Sequence, residues 1–266
     1  MSFCDIVVDA CPRDDIDWTL QVARELAAEF RATLLAVSYA WPRLSITDVL
    51  AMSTFSVQEQ THSMEDALTA TRKAFDKAFK SSNEVEWCSG IREPTAAIRD
   101  HLIYADLLIT SSSEGDVCVS PDSTKLALQS GAPILRLEQA AVSSRFPKVL
   151  VGWKDCPQAR RALHDALPLL KRAESVAVVG VGDEVSVDRL EAVATHLCHH
   201  KVRANPRHIP RSEDSVCADL VSQAAHEGAT LIVAGFYSRG SLAERILGGV
   251  TRDMLKNTNI SWFLAH

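Results

Sequence analysis

The chain of 266 residues, at one domain per roughly 150 residues, suggests two domains or one large one and is far too long for a disulfide-stapled miniprotein. Hydrophobic residues make up 47% and charged residues 23%, with 11 Gly and 10 Pro, which excludes a disordered or fibrous chain. The formal net charge of −6, from 28 Lys+Arg against 34 Asp+Glu, argues against a dedicated nucleic-acid binder, which carries a basic surplus.

The chain opens on MSFCDIVVDACPRDD, which has no basic run and meets Asp and Pro too early for a secretory leader. FCDIVVD predicts a strand, and Val22, Leu26 and Phe30 at i, i+4 and i+8 predict a helix after it. ATLLAVSYA is a second strand, a charged helix follows around Glu65 to Lys80, and EVEWC is a short strand. A helix at Thr95 to Tyr104, the strand ADLLITS and the strand APILRL close the first half. KVLVGW opens the second half, followed by a helix with Leu163, Ala166, Leu167 and Leu170 on one face and by the strand SVAVVG. A helix at Val187 to Cys198, a strand around Val202 to Ile209 and a helix at Asp214 to His226 come next. ATLIVAG, a helix before Lys256 and ISWFLA end the chain. No apolar run approaches the roughly 18 residues of a membrane span, so a cytoplasmic protein away from the membrane is expected.

Both halves show the same β-α-β-α-β-α-β-α-β order, which is the pattern of an internal repeat of α/β domains with parallel sheets. The expected domains are 1–138 and 148–266, with Gln139 to Pro147 as linker. The first half is longer, and the unassigned stretch Trp41 to His62 accounts for the difference; a helix packed on its own domain is expected there, with a lid or partner surface as the alternative. Residues 1–147 hold 13 basic and 21 acidic groups, giving −8, and residues 148–266 hold 15 and 13, giving +2. An anionic ligand meets a friendlier field in the second half.

In an open parallel sheet, ligands sit beyond the carboxyl ends of the strands where strand order reverses. The loops of interest therefore follow the first and fourth strands of each half. In the second half the fourth-strand loop reads Gly235-Phe236-Tyr237-Ser238-Arg239-Gly240-Ser241, with Gly248-Gly249-Val250 further on. Glycines beside a helix start let backbone N–H groups approach a phosphate, although they also mark plain turns.

ATLIVAG followed by Gly235-x2-Ser238-x9-Gly248-Gly249 resembles the nucleotide motif G-x2-G-x9-G-S/T of the universal stress protein family, and VLVGWKDCPQARRAL resembles that family's opening strand and helix, LVAVDGSxxxxRAL. The resemblance covers nearly the whole chain and implies a tandem universal stress protein. That means two repeated doubly wound, Rossmann-like domains of the adenine nucleotide alpha hydrolase type, arranged as a pseudo-dimer. It also implies a stress-response binding or regulatory protein that takes ATP or ADP in the second half. Gly235, Ser238, Arg239, Gly248, Gly249 and Val250 would cradle phosphates, and Lys154 would sit near the base or sugar.

Several positions depart from the family pattern. Ser238 stands where the family has Gly, Gly249 where it has Ser or Thr, and Lys154 where it has an Asp that contacts adenosine. A Lys cannot accept a hydrogen bond from a ribose hydroxyl or adenine amine, though with Arg239 it attracts an anion. The first half keeps Asp9 but replaces the glycine loop by Ser111-Ser112-Ser113-Glu114-Gly115-Asp116, whose carboxylates repel phosphate, so no nucleotide is expected there. Two further readings stay open: a ligand-free interaction scaffold with protein partners or self-association, and a slow ATPase.

Seven scattered cysteines without a CxxC fit reduced thiols. Cys11 and Cys156 follow the first strands near helix starts that can lower a thiol pKa, but inert thiols are expected. His196 with His199 or His200 could offer two metal ligands, but a solvated helix end is expected and no metal site is assigned. Trp153 and Trp262 are expected in the core as strand residues.

Overall fold

The computed structural model describes residues 2–43, 54–80, 85–113, 118–138, 145–236, 254 and 259–266. The chain divides into two compact units, Phe3–Ala132 and Pro133–His266.

The first unit runs β1 (Asp5–Asp9), α1 (Ile16–Phe30), β2 (Thr33–Ala40), α2 (Thr54–Ala78), β3 (Val85–Ile91), α3 (Pro94–His101), β4 (Leu107–Ser111) and α4 (Ser123–Ser130). Its strand order is β3-β2-β1-β4, and β1 pairs in parallel with β2 and β4 while β2 pairs in parallel with β3. Ile6, Val7 and Val8 of β1 and Leu107 to Ile109 of β4 are buried, as central strands of a sheet covered on both faces must be. The predicted apolar face of α1 packs inward through Val22, Leu26 and Phe30, and Arg31 ends the helix in the left-handed region.

The expected extra stretch 41–62 splits. Residues 44–53 lie outside the described residues, and from Thr54 onward the chain is the first part of α2, so this helix starts well before Glu65. Met64 of α2 joins Ala40 and Cys118 in a small buried cluster, and Arg43 Nε donates to the Cys118 carbonyl at 3.2 Å.

The second unit contains β5 (Ile134–Leu137), β6 (Lys148–Gly152), α5 (Pro157–Asp165), α6 (Leu167–Leu170), β7 (Ser175–Val181), α7 (Val187–His199), β8 (Ala204–Ile209), α8 (Val216–Glu227), β9 (Leu231–Gly235) and β10 (Ser261–Ala265). Its strand order is β5-β10-β9-β6-β7-β8, and the run from β10 to β8 is parallel throughout. The arrangement of β6 between β7 and β9 repeats that of β1 between β2 and β4.

Two local differences have clear causes. The division between units falls before β5 because β5 pairs antiparallel with β10, Leu135 opposite Phe263, and the Glu138 N–H donates to Ser261 Oγ at 3.1 Å. The single helix expected over Leu163 to Leu170 breaks at Ala166 because Pro168 has no N–H to continue the ladder. Leu163, Ala166, Leu167 and Leu170 nevertheless all stay buried. The expected helix before Lys256 lies outside the described residues. Trp262 is fully buried, whereas Trp153 stands just past β6, half-buried, with Nε1 donating to Asp155. Among the described residues no helix is long and apolar enough to cross a membrane.

Capping of α3 carries a testable consequence. The Glu93 carboxylate accepts from the N–H groups of Thr95 (3.0 Å) and Ala96 (2.8 Å). Burial alone would raise its pKa, but donation from Thr95 and Ala96 and the charge of Lys125 bring it below the usual carboxylate range. A carboxyl lowered in the folded state stabilises above its unfolded pKa of about 4.3, and that contribution disappears as pH falls through the lower folded value. Thermal unfolding of Glu93→Gln at pH 6 should therefore occur below that of the parent protein, and the gap should close as the pH is taken down through the acid range.

Candidate functional site

Strand order reverses between β1 and β4 in the first unit and between β6 and β9 in the second, so each unit has one crevice where a ligand is expected.

In the first unit the chain fills this crevice itself. Asp9, at the end of β1, is 1% exposed. Its Oδ1 accepts from the Cys11 N–H at 3.0 Å, and its Oδ2 accepts from Thr110 Oγ1 of β4 at 2.8 Å and from Arg13 Nη1 at 2.7 Å. Arg13 Nη2 also donates to the Asp9 carbonyl, and Nε donates to Asp15 at 3.0 Å. Ser111 at the end of β4 donates to Asp15, and the Ser113 N–H donates back to Ser111 Oγ at 3.0 Å. The Arg13 side chain is 3% exposed, and although burial favours the neutral form, the carboxylates of Asp9 and Asp15 hold its pKa above the ordinary value. The carboxylate that the family resemblance assigns to a ligand is thus engaged by an internal guanidinium. Sequence reasoning kept Asp9 and missed Arg13; the signal available was a cation four residues on, flanked by Asp14 and Asp15.

Cys11 is equally sealed. Burial pushes its thiol well above the usual range and the charge of Asp9 adds to this, which reverses the activation that a nearby helix start suggested. Of the loop after β4, residues 114–117, with Glu114, Gly115 and Asp116, lie outside the described residues.

The second crevice has different chemistry. Lys154, two residues past β6, is 44% exposed, and its Nζ pairs with Glu184 at 2.5 Å. Asp155, beside it, accepts from Trp153 Nε1 and from Arg189 Nε, both at 2.9 Å. Cys156 caps α5, its Sγ accepting from the Ala159 N–H at 3.5 Å, and the Cys156 N–H donates to the Lys154 carbonyl at 2.7 Å. Exposed ion pairs of this kind are worth at most about 1 kcal/mol, so a ligand can displace Lys154 from Glu184 at little cost.

Gly235, read from the sequence as a phosphate-loop glycine, has a packing role in the structure. A Cβ there would lie 2.4 Å from Ala159 N and 2.6 Å from the Gln158 carbonyl carbon, so the absent side chain lets the end of β9 meet the first turn of α5. The next residue, Phe236, is fully buried; its N–H donates to the Ala265 carbonyl at 2.8 Å, and its carbonyl lies 2.9 Å from His266 Nδ1. Ser238, Arg239, Gly248, Gly249 and Val250 lie outside the described residues. Of the expected site, the structure therefore describes Lys154, two residues past β6, and Gly235, at the end of β9 against the first turn of α5.

Comparisons with known proteins agree at the level of fold. No family profile matches the chain, and no curated protein matches it. A universal stress protein from Archaeoglobus fulgidus DSM 4304 superposes with a TM-score of 0.69 at 14% identity, covering 100% of this chain and 96% of its own. A protein of unknown function from Pseudomonas aeruginosa PAO1 gives 0.62 at 13% identity, covering 99% and 92%. A putative universal stress protein from Pseudomonas aeruginosa UCBPP-PA14 gives 0.61 at 14% identity, covering 99% and 93%. The chain has the Rossmann-like fold of universal stress protein structures over its full length.

The contact at Gly235 sets an expectation. Gly235→Ala drives a methyl into helix backbone that has no flexible end to move aside, and overpacking of this kind costs about 1–3 kcal/mol. Urea unfolding should show a correspondingly lower midpoint, whereas a purely ligand-facing glycine would leave the midpoint unchanged.

Proposed function

We propose that this chain is a tandem universal stress protein, a cytoplasmic binding and regulatory protein without turnover chemistry, and that it takes an adenine nucleotide, ATP or ADP, at the crevice of its second half. The observation that carries the assignment to one half is the contrast between the two crevices. In the first, Asp9 already has Arg13, Thr110 and the Cys11 N–H on its oxygens. In the second, a lysine stands at the strand end in a weak surface pair.

Lys154 supplies charge to a phosphate, and Arg239, four residues after Gly235 in the sequence, adds a second cation. The N–H groups of Gly248, Gly249 and Val250 serve as phosphate donors, with Ser238 contributing its hydroxyl. The first half then acts as a structural counterpart. None of the seven cysteines forms a disulfide, in keeping with a reducing compartment.

A second reading, a ligand-free scaffold for protein partners or self-association, is favoured by one observation. Asp155, the nearest carboxylate to the family's adenosine-contacting position, is already held by Trp153 and Arg189 and does not face a ribose unengaged.

Calorimetry of the purified chain with ATP and with ADP separates these readings when repeated on Gly248→Asp, which places a negative charge in the phosphate cradle. The proposal predicts binding by the parent protein that drops by at least about tenfold in the variant, the loss expected for a carboxylate set against phosphate. Absence of heat with either nucleotide leaves the scaffold, and steady release of ADP from ATP would overturn the assignment as a non-enzyme.

A further inference from the structure

Outside the strand-end crevices, four basic side chains gather where α7 ends. Lys171, His199, His200 and Lys201 line one open cleft of about 360 Å³, and no carboxylate shares the lining. Among the described residues no ion pair engages Lys171 or Lys201. His200 also belongs to a cluster of three imidazoles. Its ring centroid lies 4.7 Å from that of His196 on α7 and 6.2 Å from that of His164 on α5, and the latter two are 5.3 Å apart. His164 is the member that sequence spacing could not reveal. The Nε2 atom of His196 is buried without a hydrogen-bond partner.

Helix capping does not account for these cations. The last turn of α7 closes on its own backbone: the His200 and Val202 N–H groups donate to the Leu197 carbonyl at 2.9 and 3.0 Å, and the Lys201 N–H donates to the Cys198 carbonyl at 2.9 Å. Lys201 adopts φ +66°, a left-handed conformation that glycine takes more cheaply, so a long cationic side chain stands where chain reversal alone favours none. The helix dipole contributes only about half a negative charge at this end, less than the two lysines supply. A metal site does not fit either, since among the described residues no three His, Cys, Asp or Glu groups are set to hold an ion.

We propose that the cleft lined by Lys171, His199, His200 and Lys201 is a binding site for a small phosphorylated anion. The two ammonium groups and the two imidazoles supply donors around a concave space that suits a compact ligand better than a polymer surface. This site is separate from the strand-end crevice and does not depend on the nucleotide proposal.

Burial lowers the pKa of His164, and the charges of Arg160, His196 and His200 lower it further against the opposing pull of Asp165. Burial likewise lowers His196, helped by His200, His199 and Arg160. Both shifts hold His164 and His196 toward the neutral form, so the charge that meets the anion comes from Lys171 and Lys201.

The test is calorimetry of the full chain with pyrophosphate near pH 8 at constant ionic strength, comparing the parent protein, Lys171→Gln/Lys201→Gln, and Lys73→Gln, an exposed lysine of α2. Both cleft lysines are exposed, and unfolding curves would establish that the double variant is folded. Binding should fall by about tenfold or more in the double variant and persist in Lys73→Gln. No binding by the parent protein, or an equal loss in Lys73→Gln, would overturn the proposal. Equal binding by the double variant would place the anion elsewhere, the strand-end crevice included, and overturn it as well.

Discussion

A buried carboxylate must be matched by donors or it neutralises, and in this protein that requirement organises the first half. Asp9 ends the central strand β1 with almost no exposure, and its donors come from three places: the turn after β1 (Cys11 N–H), the loop before α1 (Arg13) and the neighbouring strand β4 (Thr110). Arg13 then reaches Asp15, and Asp15 reaches Ser111 at the end of β4. One charge thereby fixes the turn out of β1, the start of α1 and the β4 end together. The point at which open parallel sheets receive ligands is here a closed polar network.

The second half repeats the topology with the opposite chemistry. The carboxylate at the strand end gives way to Lys154, and among the described residues the buried arginine has no counterpart there, where Glu184, Arg189 and Asp155 form pairs that face solvent. The floor is set by shape instead of charge: Gly235 admits the first turn of α5 against β9. The −8 and +2 balances of the two halves follow the same division, with the acidic half closed on itself and the basic half carrying the cations of the strand end and of the α7 cleft.

Much of this was legible in the sequence because its signals are local. Runs such as DIVVD, SVAVVGV and LIVAG announce strands buried on both faces, and the repeated order of elements announces two copies of one fold. Contacts remote in sequence were not legible. The allegiance of β5 depends on β10, about half the chain away, and no local pattern encodes it. Arg13 reads as a solvated loop cation until the fold buries it, and His164 joins His196 and His200 only because α5 and α7 run close together. Gly235 stood out in the sequence as a phosphate-loop glycine, but that signal could not distinguish a close approach of helix backbone from a close approach of phosphate.

The claim that the first crevice is locked by an internal ion pair can be measured by a double-mutant cycle in urea with Arg13→Met, Asp9→Asn and the two combined. Removing the guanidinium leaves a buried carboxylate uncompensated, which costs about 3–5 kcal/mol, whereas removing both charges leaves polar and apolar groups that repack. The account predicts that the combined variant is more stable than the sum of the single losses implies, by more than about 1.5 kcal/mol. Simple additivity of the two losses would contradict it.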